Sequence, residues 1–366
     1  MMWLSDNAVH RLREQADLPD LGGSRYLVLH KVGSGGMGTV YVAQDANLGR
    51  KVAVKVMNVA DSSGALVSRM LREARIVALL EHPSIVPIHD VGTLQDGRVF
   101  YAMKLVQGNR LDQSIGGAVS LADTLRTFQK VCEAVAFAHS RGVIHRDLKP
   151  ENIMVGPFGE VLVIDWGVAK VQGTGDRNPG VLEDSPAELA DIEDADSIMT
   201  VPLAVGNSRE DTSSGTVIGT PAYMSPEQAR GQTELLNQLS DVYSLGAILY
   251  FLLTCRPPLD SEAASRTESR TTLSRPMRPR QIDARIPRAI EAICLKAMSE
   301  RREDRYAGAE EIAGDVVKFL DGDPVNAYPE NIFEKTGRWL GKNRFIVWLI
   351  VAYLLMRLLV FFFVGR

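Results

Sequence analysis

Apolar and polar residues alternate along residues 25–44, on both sides of a glycine-rich turn, which is the pattern of strands with one buried face. Further short strands are predicted at 51–58, 84–90 and 99–105. Between them, residues 68–80 carry apolar side chains every three or four positions, which indicates one helix. The first third therefore predicts a small sheet accompanied by a single helix.

After Gly108 the spacing of apolar residues becomes mostly helical. Helices are predicted at 121–140, 242–253, 288–299 and 310–319, with one further apolar strand at 161–164. A β-rich part followed by a helical part indicates an α+β chain with two lobes. The predicted bounds are about 25–105 for the small lobe and about 109–320 for the larger lobe, with the joint near 104–108.

Residues 171–215 fit neither pattern. The stretch 176–211 contains ten acidic side chains against two arginines, with scattered Pro, Gly and Ser. Such a composition favours a disordered acidic insert, and it agrees equally with a passive surface loop and with a regulatory element. Residues 1–24 form a further polar extension.

The end of the chain is different again, because residues 345–364 are apolar except for Arg357. About twenty helical residues span the roughly 30 Å hydrocarbon core of a bilayer. Acidic residues are absent from Lys335 onward while basic ones are frequent, as at the cytoplasmic end of a span. We therefore predict a linker at 321–344 and a single-pass transmembrane helix at 345–364, with the lipid bilayer as a partner and the preceding domain in the cytoplasm. A helix packed in protein is the alternative, since a guanidinium within lipid is costly.

The composition narrows the class of protein. The chain has 366 residues, 45% hydrophobic and 23% charged, with a net charge of −4. These values are ordinary for a globular protein and give no indication of a nucleic-acid-binding surface. Cys132, Cys255 and Cys294 lie far apart in apolar runs, so they predict buried free thiols rather than disulfides or a zinc site.

Residues 145–152 read HRDLKPEN and bring a carboxylate, a cation and an amide onto one loop. Transfer of the ATP γ-phosphoryl group to a hydroxyl uses all three. Asp147 would orient the hydroxyl and accept its proton, Lys149 would neutralise charge on the moving phosphoryl group, and Asn152 would hold Mg²⁺. A polar turn without a function is the alternative.

A glycine-rich stretch, VGSGGMGTV at 32–40, sets Gly33, Gly35 and Gly38 in the spacing G-x-G-x-x-G. Glycine lets backbone N–H groups approach phosphates closely. A dinucleotide-binding turn shares this spacing but is followed by a helix, whereas the strand-like residues 39–44 follow here. A turn over the phosphates of ATP is therefore the better prediction.

Lys55 lies in the apolar strand 52–56, where a lone ammonium is costly. Glu73 on the next helix is its predicted partner, and the pair would hold Lys55 against the α- and β-phosphates. A lysine at the surface of an edge strand is the alternative. Asp165 follows the strand 161–164 and would bind Mg²⁺ between the β- and γ-phosphates.

Together these motifs resemble the eukaryotic-like (Hanks-type) bacterial serine/threonine protein kinases over residues 26–320. The resemblance implies the bilobal protein kinase fold, with a small β-rich lobe that carries one helix, a larger helical lobe, and ATP between them. It also implies Mg²⁺, with Mn²⁺ as an alternative, and proteins as substrates. Pairing into a homodimer is a further expectation.

The resemblance assigns further residues around the nucleotide. Met103 resembles the gatekeeper, and 104–106 the hinge that meets adenine through its backbone. The predicted nucleotide-contacting residues are Val32, Gly33, Ser34, Gly35, Gly36, Met37, Gly38, Val40, Ala53, Lys55, Glu73, Met103, Leu105 and Val106.

In the helical lobe, residues 219–227 (GTPAYMSPE) resemble the end of an activation segment. Glu227 is expected to form a buried ion pair with Arg305, and Asp241 to cap the backbone of the catalytic loop. Trp166 stands where the family usually has phenylalanine, and its size and apolar character suit the same packing role.

Arg146, directly before Asp147, resembles the arginine that grips a phosphate on the activation segment. The resemblance therefore implies autophosphorylation, and the candidate acceptors are Thr212, Ser213, Ser214 and Thr216. Ordinary loop hydroxyls are the alternative.

Two other classes of protein were considered. A pseudokinase would lack some of the lysine, glutamate, aspartate and asparagine residues described above, yet all are present. A small-molecule kinase would not need GTPAYMSPE, which shapes a peptide-binding ledge in the family. Lys149 and Thr220 match serine/threonine rather than tyrosine kinases.

Overall fold

The structure is a computed structural model of the chain. It describes residues 18–35, 38–58, 64–114, 120–166, 170–171, 221–259, 276–331, 334–336 and 344–364. The first residues of the chain, most of the predicted acidic insert and residues 260–275 lie outside the described residues.

The first lobe is built on an antiparallel five-stranded sheet in the order β1-β2-β3-β5-β4. Its strands are β1 Tyr26–Ser34, β2 Gly38–Asp45, β3 Arg50–Met57, β4 Ile88–Thr93 and β5 Val99–Lys104. The period of two along β3 divides its side chains between two faces. Val52, Val54 and Val56 are buried in one cluster, and Met57 belongs to another, on the side that receives the helix.

That helix, α1 (Ala65–Leu79), lies against β5. Met70 and Ala74 are buried together with Val99 and Tyr101 of the sheet. This spacing of four along α1 gives the helix one apolar face, as its sequence pattern predicts. Glu73 lies one position before Ala74 and is therefore carried to the same side of the sheet as Lys55.

The strand predicted at 84–90 is only partly correct, because β4 begins at Ile88. Residues 84–86 instead bond to Val163 of the second lobe: Val163 N donates to Ser84 O at 2.8 Å, and Val86 N donates to Val163 O at 3.3 Å. Pro87 cannot donate a ladder hydrogen bond, which separates the two pairings. The first part of this apolar run therefore pairs with the second lobe, and the part from Ile88 onward belongs to the sheet of the first lobe.

The second lobe is mainly helical. Its helices are α2 Leu111–Ser114, α3 Leu121–Ser140, α4 Pro226–Ala229, α5 Gln238–Thr254, α6 Pro279–Ile282, α7 Arg288–Ala297 and α8 Ala309–Leu320. Short strands accompany them, namely β6 Asn109–Arg110, β7 Val143–Ile144, β8 Ile153–Val155, β9 Val161–Val163 and β10 Lys170–Val171. Almost every residue of α5 is buried, so this helix forms the centre of the lobe.

The packed part of the second lobe continues past the end of α8. Asp315 is buried and accepts hydrogen bonds from Asn326 N at 2.9 Å and Ala327 N at 3.0 Å, while Val325 is buried beside them. Residues that were predicted to begin a linker thus lie against the helices. Apolar periodicity gives no signal for this contact, because backbone amides make it.

Cys132 and Cys294 are buried, as predicted, but Cys255 is exposed. It follows α5 directly and has a positive φ of 54°. The apolar run that predicted its burial ends one residue earlier, at Thr254.

The last helix, α9, is Arg344–Val364. Across the described part of the chain, the structure contains no helix with both the length and the apolar character that crossing a membrane requires. This contradicts the transmembrane helix predicted at 345–364, and with it the single-pass membrane localisation. The apolar run is interrupted by Arg357, whose guanidinium lies 6.0 Å from the Tyr353 ring and is costly in hydrocarbon.

Candidate active site

The loop between β7 and β8 brings together the three residues of the HRDLKPEN motif that were predicted to act. Lys149 Nζ lies 2.7 Å from Asp147 Oδ2. Asn152 Nδ2 donates to the backbone carbonyl of Asp147 at 2.8 Å and reaches its Oδ2 at 3.2 Å. Two donors therefore hold one oxygen of the Asp147 carboxylate in a fixed orientation.

The backbone of this loop is held from below by α5. The carboxylate of Asp241 is buried and accepts from His145 N at 2.8 Å and from Arg146 N at 2.9 Å. Arg146 has a φ of 69°, a left-handed conformation that costs energy for any residue other than glycine. The two hydrogen bonds to Asp241 stabilise that conformation.

A third donor to Asp241 is His139 of α3, whose Nε2 lies 2.8 Å from Oδ2. Burial raises the pKa of Asp241, but its hydrogen bond with His139 and its interactions with His139 and His145 outweigh burial, so the pKa is lowered. Asp241 is therefore an ionised acceptor at neutral pH and holds the loop through charge-assisted hydrogen bonds.

In the first lobe, Lys55 Nζ donates to Glu73 Oε1 at 2.8 Å. The same ammonium lies 3.6 Å from Asp165 Oδ1, across the junction of the lobes. Burial lowers the pKa of Lys55, but interactions with Tyr101, Glu73 and Asp165 outweigh burial and the pKa is raised. Lys55 thus stays charged and links Glu73 of α1 with Asp165, two residues after the end of β9.

Asp165 has a φ of 63°, and its side chain is 47% exposed. The next residue, Trp166, is buried with its ring 4.5 Å from the ring of His145. His145 Nε2 lies 3.2 Å from the carbonyl oxygen of Ile164. Trp166 is thus packed against the catalytic loop, whereas the neighbouring Asp165 carboxylate is accessible to solvent and lies near Lys55.

The glycine-rich turn connects β1 with β2. Gly35 N donates to Gly38 O at 2.9 Å. A Cβ on Gly38 would approach the carbonyl oxygen of Val56 to 2.6 Å, so only glycine fits against β3. Gly36 and Met37, both predicted to contact nucleotide, lie outside the described residues.

Sequence reasoning missed Asn58, which fastens this turn to the end of β3. Its Nδ2 donates to Gly35 O at 2.9 Å, and its Oδ1 accepts from Thr39 Oγ1 at 2.6 Å. Thr39 Oγ1 also lies 3.0 Å from Ser34 Oγ. No local motif signals Asn58, because its partners are 19 and 23 residues away in sequence.

The remaining residues predicted around the nucleotide lie on facing strands at the same junction. Val40 of β2 is paired with Lys55, and Ala53 of β3 with Met103 of β5. Val32 on β1 is exposed, and Leu105 and Val106 are half-buried after β5. Because register partners share a face of the sheet, Val40, Ala53 and Met103 form an apolar strip on the face that carries Lys55.

Behind the catalytic loop, Glu227 and Arg305 form a buried ion pair with two hydrogen bonds, of 2.8 and 2.9 Å. Ser240 Oγ also donates to Glu227 Oε1, at 2.9 Å. Burial raises the pKa of Glu227, but the hydrogen bonds from Arg305 and its charge outweigh burial, so the pKa is lowered.

Gln228 is a second residue that sequence reasoning missed. Its Nε2 donates to Arg146 O at 2.6 Å, which ties α4 to the catalytic loop. The recess beside this contact is lined by Arg146, Asp147, Leu148, Lys149, Tyr223, Met224, Gln228 and Ser244. Thr220 and the candidate phosphorylation sites Thr212, Ser213, Ser214 and Thr216 lie outside the described residues.

A sheet lobe and a helical lobe that converge on a lysine, two aspartates and an asparagine define the class of ATP-dependent phosphotransferases with a protein kinase fold. Residues 26–185 match the protein kinase domain family. The serine/threonine-protein kinase PknD of Protochlamydia amoebophila is 34% identical over an alignment of 318 positions, which covers 81% of this chain and 30% of that protein.

The probable serine/threonine-protein kinase PknB of Bifidobacterium longum is 35% identical over an alignment of 316 positions, which covers 82% of this chain and 40% of that protein. The chain therefore belongs to the bacterial Hanks-type serine/threonine protein kinases. It spans less than half of the length of either relative. Kinases of this family use ATP and a divalent metal.

Among solved structures, the kinase domain of Mycobacterium tuberculosis PknI is similar, with a TM-score of 0.55 and 22% identity. The match covers 81% of this chain and 96% of that one. At this level of identity the likeness establishes the fold, and it agrees with the bilobal architecture predicted from the sequence.

Proposed function

We propose that this chain transfers the γ-phosphoryl group of ATP to serine or threonine hydroxyls of proteins. The observation that carries the proposal is the convergence of two charged groups at the lobe junction. One is Lys55 with Glu73, and the other is Asp147 with Lys149 and Asn152. Asp165 lies within 3.6 Å of the first group. Phosphoryl transfer depends on positioning and charge stabilisation, which this arrangement suits.

Asp147 is proposed to orient the acceptor hydroxyl. Its Oδ2 is engaged by Lys149 and Asn152, so Oδ1 is the oxygen that would accept the hydroxyl proton. Lys149 Nζ, 2.7 Å from the carboxylate, is close enough to neutralise charge on a phosphoryl group that reaches the hydroxyl. One loop would thus act on both reacting groups.

Asn152 and Asp165 are the proposed metal ligands. Both offer oxygen donors, which Mg²⁺ prefers, and Mn²⁺ would fit the same donors. The Asn152 amide nitrogen donates to the Asp147 carbonyl, which directs the amide oxygen away from the loop. The half-exposed carboxylate of Asp165 has room for a ligand. When bound, the metal would neutralise phosphate charge.

Nucleotide binding is proposed to use the glycine-rich turn for the phosphates and the strip of Val32, Val40, Ala53 and Met103 for the base. Leu105 and Val106 would meet the adenine edge through their backbone. The raised pKa of Lys55 supports a permanent positive charge facing the α- and β-phosphates.

The proposal is tested by incubating the chain with Mg-ATP and a general protein substrate. Phosphate should appear on Ser or Thr, and Asp147→Asn should lower kcat by about 10²–10⁴-fold while nucleotide affinity is kept. A chain that binds nucleotide but labels no protein would instead be a pseudokinase. Labelling of a small alcohol in preference to protein would support a small-molecule kinase.

We also propose that activity rises through autophosphorylation at Thr212, Ser213, Ser214 or Thr216, with Arg146 gripping the phosphate. A phosphate brings up to two negative charges and can order a segment against arginine. Mass spectrometry of active protein should find at least one of the four modified. Active protein with all four unmodified would contradict this proposal.

Pairing of two copies stays a prediction. Light scattering of the purified chain across a range of concentrations would measure its mass directly, and a constant monomer mass would argue against it.

A further inference from the structure

Tyr101 makes a buried contact with the Lys55–Glu73 pair. Tyr101 of β5 is buried, and its hydroxyl donates to Glu73 Oε1 at 2.7 Å. The same oxygen accepts from Lys55 Nζ at 2.8 Å. One carboxylate oxygen of Glu73 therefore has two donors, one charged and one neutral.

The position of Tyr101 explains how it reaches both partners. It is paired with Lys55 in the β3–β5 register, and its ring centroid lies 5.6 Å from Lys55 Nζ. Its ring also packs in one cluster with Met70 and Ala74 of α1. The same side chain thus supports the helix by apolar contact and its glutamate by a hydrogen bond.

A carboxylate as buried as that of Glu73 is stable only with donors nearby. Lys55 is one donor, but its ammonium is shared with Asp165 and is the group that would meet the nucleotide. If Lys55 turns toward the phosphates, the buried Glu73 carboxylate would lose a hydrogen-bond donor. A second donor must then stay in place to stabilise its charge. Tyr101 is that donor, since its side chain is buried and its hydroxyl is bonded to Glu73.

We propose that Tyr101 is a positioning residue for phosphoryl transfer. Its hydrogen bond would keep Glu73, and with it α1, next to Lys55, so that the Lys55 ammonium is held where it meets the phosphates. The inference rests on the proposed function. Burial raises the pKa of Tyr101, so its hydroxyl remains a donor at neutral pH. As an aromatic residue in an apolar strand, Tyr101 gave only a packing signal in the sequence.

A purely structural hydrogen bond is the competing explanation, and the chain contains a matched control. Tyr306 is also buried, and its hydroxyl donates to the buried Asp315 carboxylate at 2.9 Å. That pair lies in the second lobe, away from the lobe junction. Tyr306→Phe removes a comparable hydrogen bond without touching Lys55 or Glu73.

The experiment compares Tyr101→Phe with Tyr306→Phe in the whole chain. Melting temperature, nucleotide affinity, kcat and the KM for ATP are measured for each. Both should lose comparable thermal stability, but only Tyr101→Phe should lower kcat, by about tenfold, with the KM for ATP raised less than about threefold. If Tyr101 had only a structural role, the two variants would lose similar stability and would have similar kcat values.

A double-mutant cycle tests whether Tyr101 acts through Glu73. In a Glu73→Ala background, adding Tyr101→Phe should change kcat by less than about twofold, because the acceptor is already gone. Equal kcat values for Tyr101→Phe and Tyr306→Phe, or a full tenfold loss in the Glu73→Ala background, would overturn the inference. If the unaltered chain neither binds ATP nor labels protein, the proposed function fails instead.

Discussion

Among the residues that the structure describes, two of the buried ion pairs are built differently. Lys55–Glu73 in the first lobe uses one oxygen of the carboxylate, and the lysine side chain is 12% exposed. Within the described residues, the other oxygen, Glu73 Oε2, has no hydrogen-bond partner. Arg305–Glu227 in the second lobe uses both oxygens, and the side chains are 0% and 4% exposed.

Arg305 is also saturated with acceptors. Nε donates to Ser299 O at 2.8 Å, and the two terminal nitrogens reach the carbonyls of Leu239 and Glu300 as well as Glu227. No donor remains for a ligand, so this pair can only hold the lobe together. Lys55 keeps donor capacity at the open junction. A buried ion pair with hydrogen-bonding capacity to spare therefore indicates a binding role. A buried pair whose donors and acceptors are all used indicates a role in stabilising the fold.

Removing the lysine should have the largest effect on activity. Lys55→Met is expected to keep the fold and to lower kcat by at least about 10²-fold, because a fixed positive charge at the phosphates is lost. Kinase assays and thermal melting measure the two quantities. Lys51→Met is the control, since Lys51 is exposed on the same strand. A Lys55→Met chain that melts like wild type and keeps its turnover would break the comparison.

Removing the arginine should have the largest effect on stability. Arg305→Ala leaves the Glu227 carboxylate buried without its cation, and the free energy of unfolding should fall by about 3–5 kcal/mol. Denaturant unfolding measures this. The control is Arg230→Ala, which breaks the exposed pair with Glu300 and should cost less than about 1 kcal/mol. Similar losses for both variants would show that burial does not distinguish the pairs.

A smaller effect is expected when charge is kept and geometry is lost. Arg305→Lys retains a cation but cannot make two parallel hydrogen bonds while also reaching three carbonyls. The free energy of unfolding should fall by about 1–2 kcal/mol, between wild type and Arg305→Ala. A lysine that stabilises as well as arginine would mean that charge alone holds Glu227.

The smallest expected effect is a dependence of the free energy of unfolding on pH. The pKa of Glu227 is lower in the folded than in the unfolded chain, so its stabilisation is present above the unfolded pKa of about 4.3 and is lost as the pH falls through the folded pKa. The difference in unfolding free energy between wild type and Glu227→Gln should be constant near neutral pH and narrow below about pH 4.3. Urea titrations across this range, with Glu300→Gln as the exposed control, would detect it. A difference that does not narrow would contradict the lowered pKa.

Much of the fold followed from local patterns. Period-two alternation indicated the strands on either side of the glycine-rich turn, β1 and β2. Helical spacing located α3 and α7, because each of these helices buries one face against its neighbours. The start of β4 did not follow, since residues 84–86 pair with Val163 of the other lobe. The prediction of a transmembrane helix was wrong, because an apolar run by itself does not determine what surrounds it.

The sequence by itself determined the chemistry of the catalytic loop, because Asp147, Lys149 and Asn152 lie within six residues and one turn brings them together. It also indicated the partner of Lys55, since a buried ammonium requires a carboxylate. Only the tertiary structure revealed Tyr101, Asn58 and Gln228, whose partners are 28, 23 and 82 residues away. Hydrogen bonds over such distances depend on how strands and helices pack, and no local spacing encodes them.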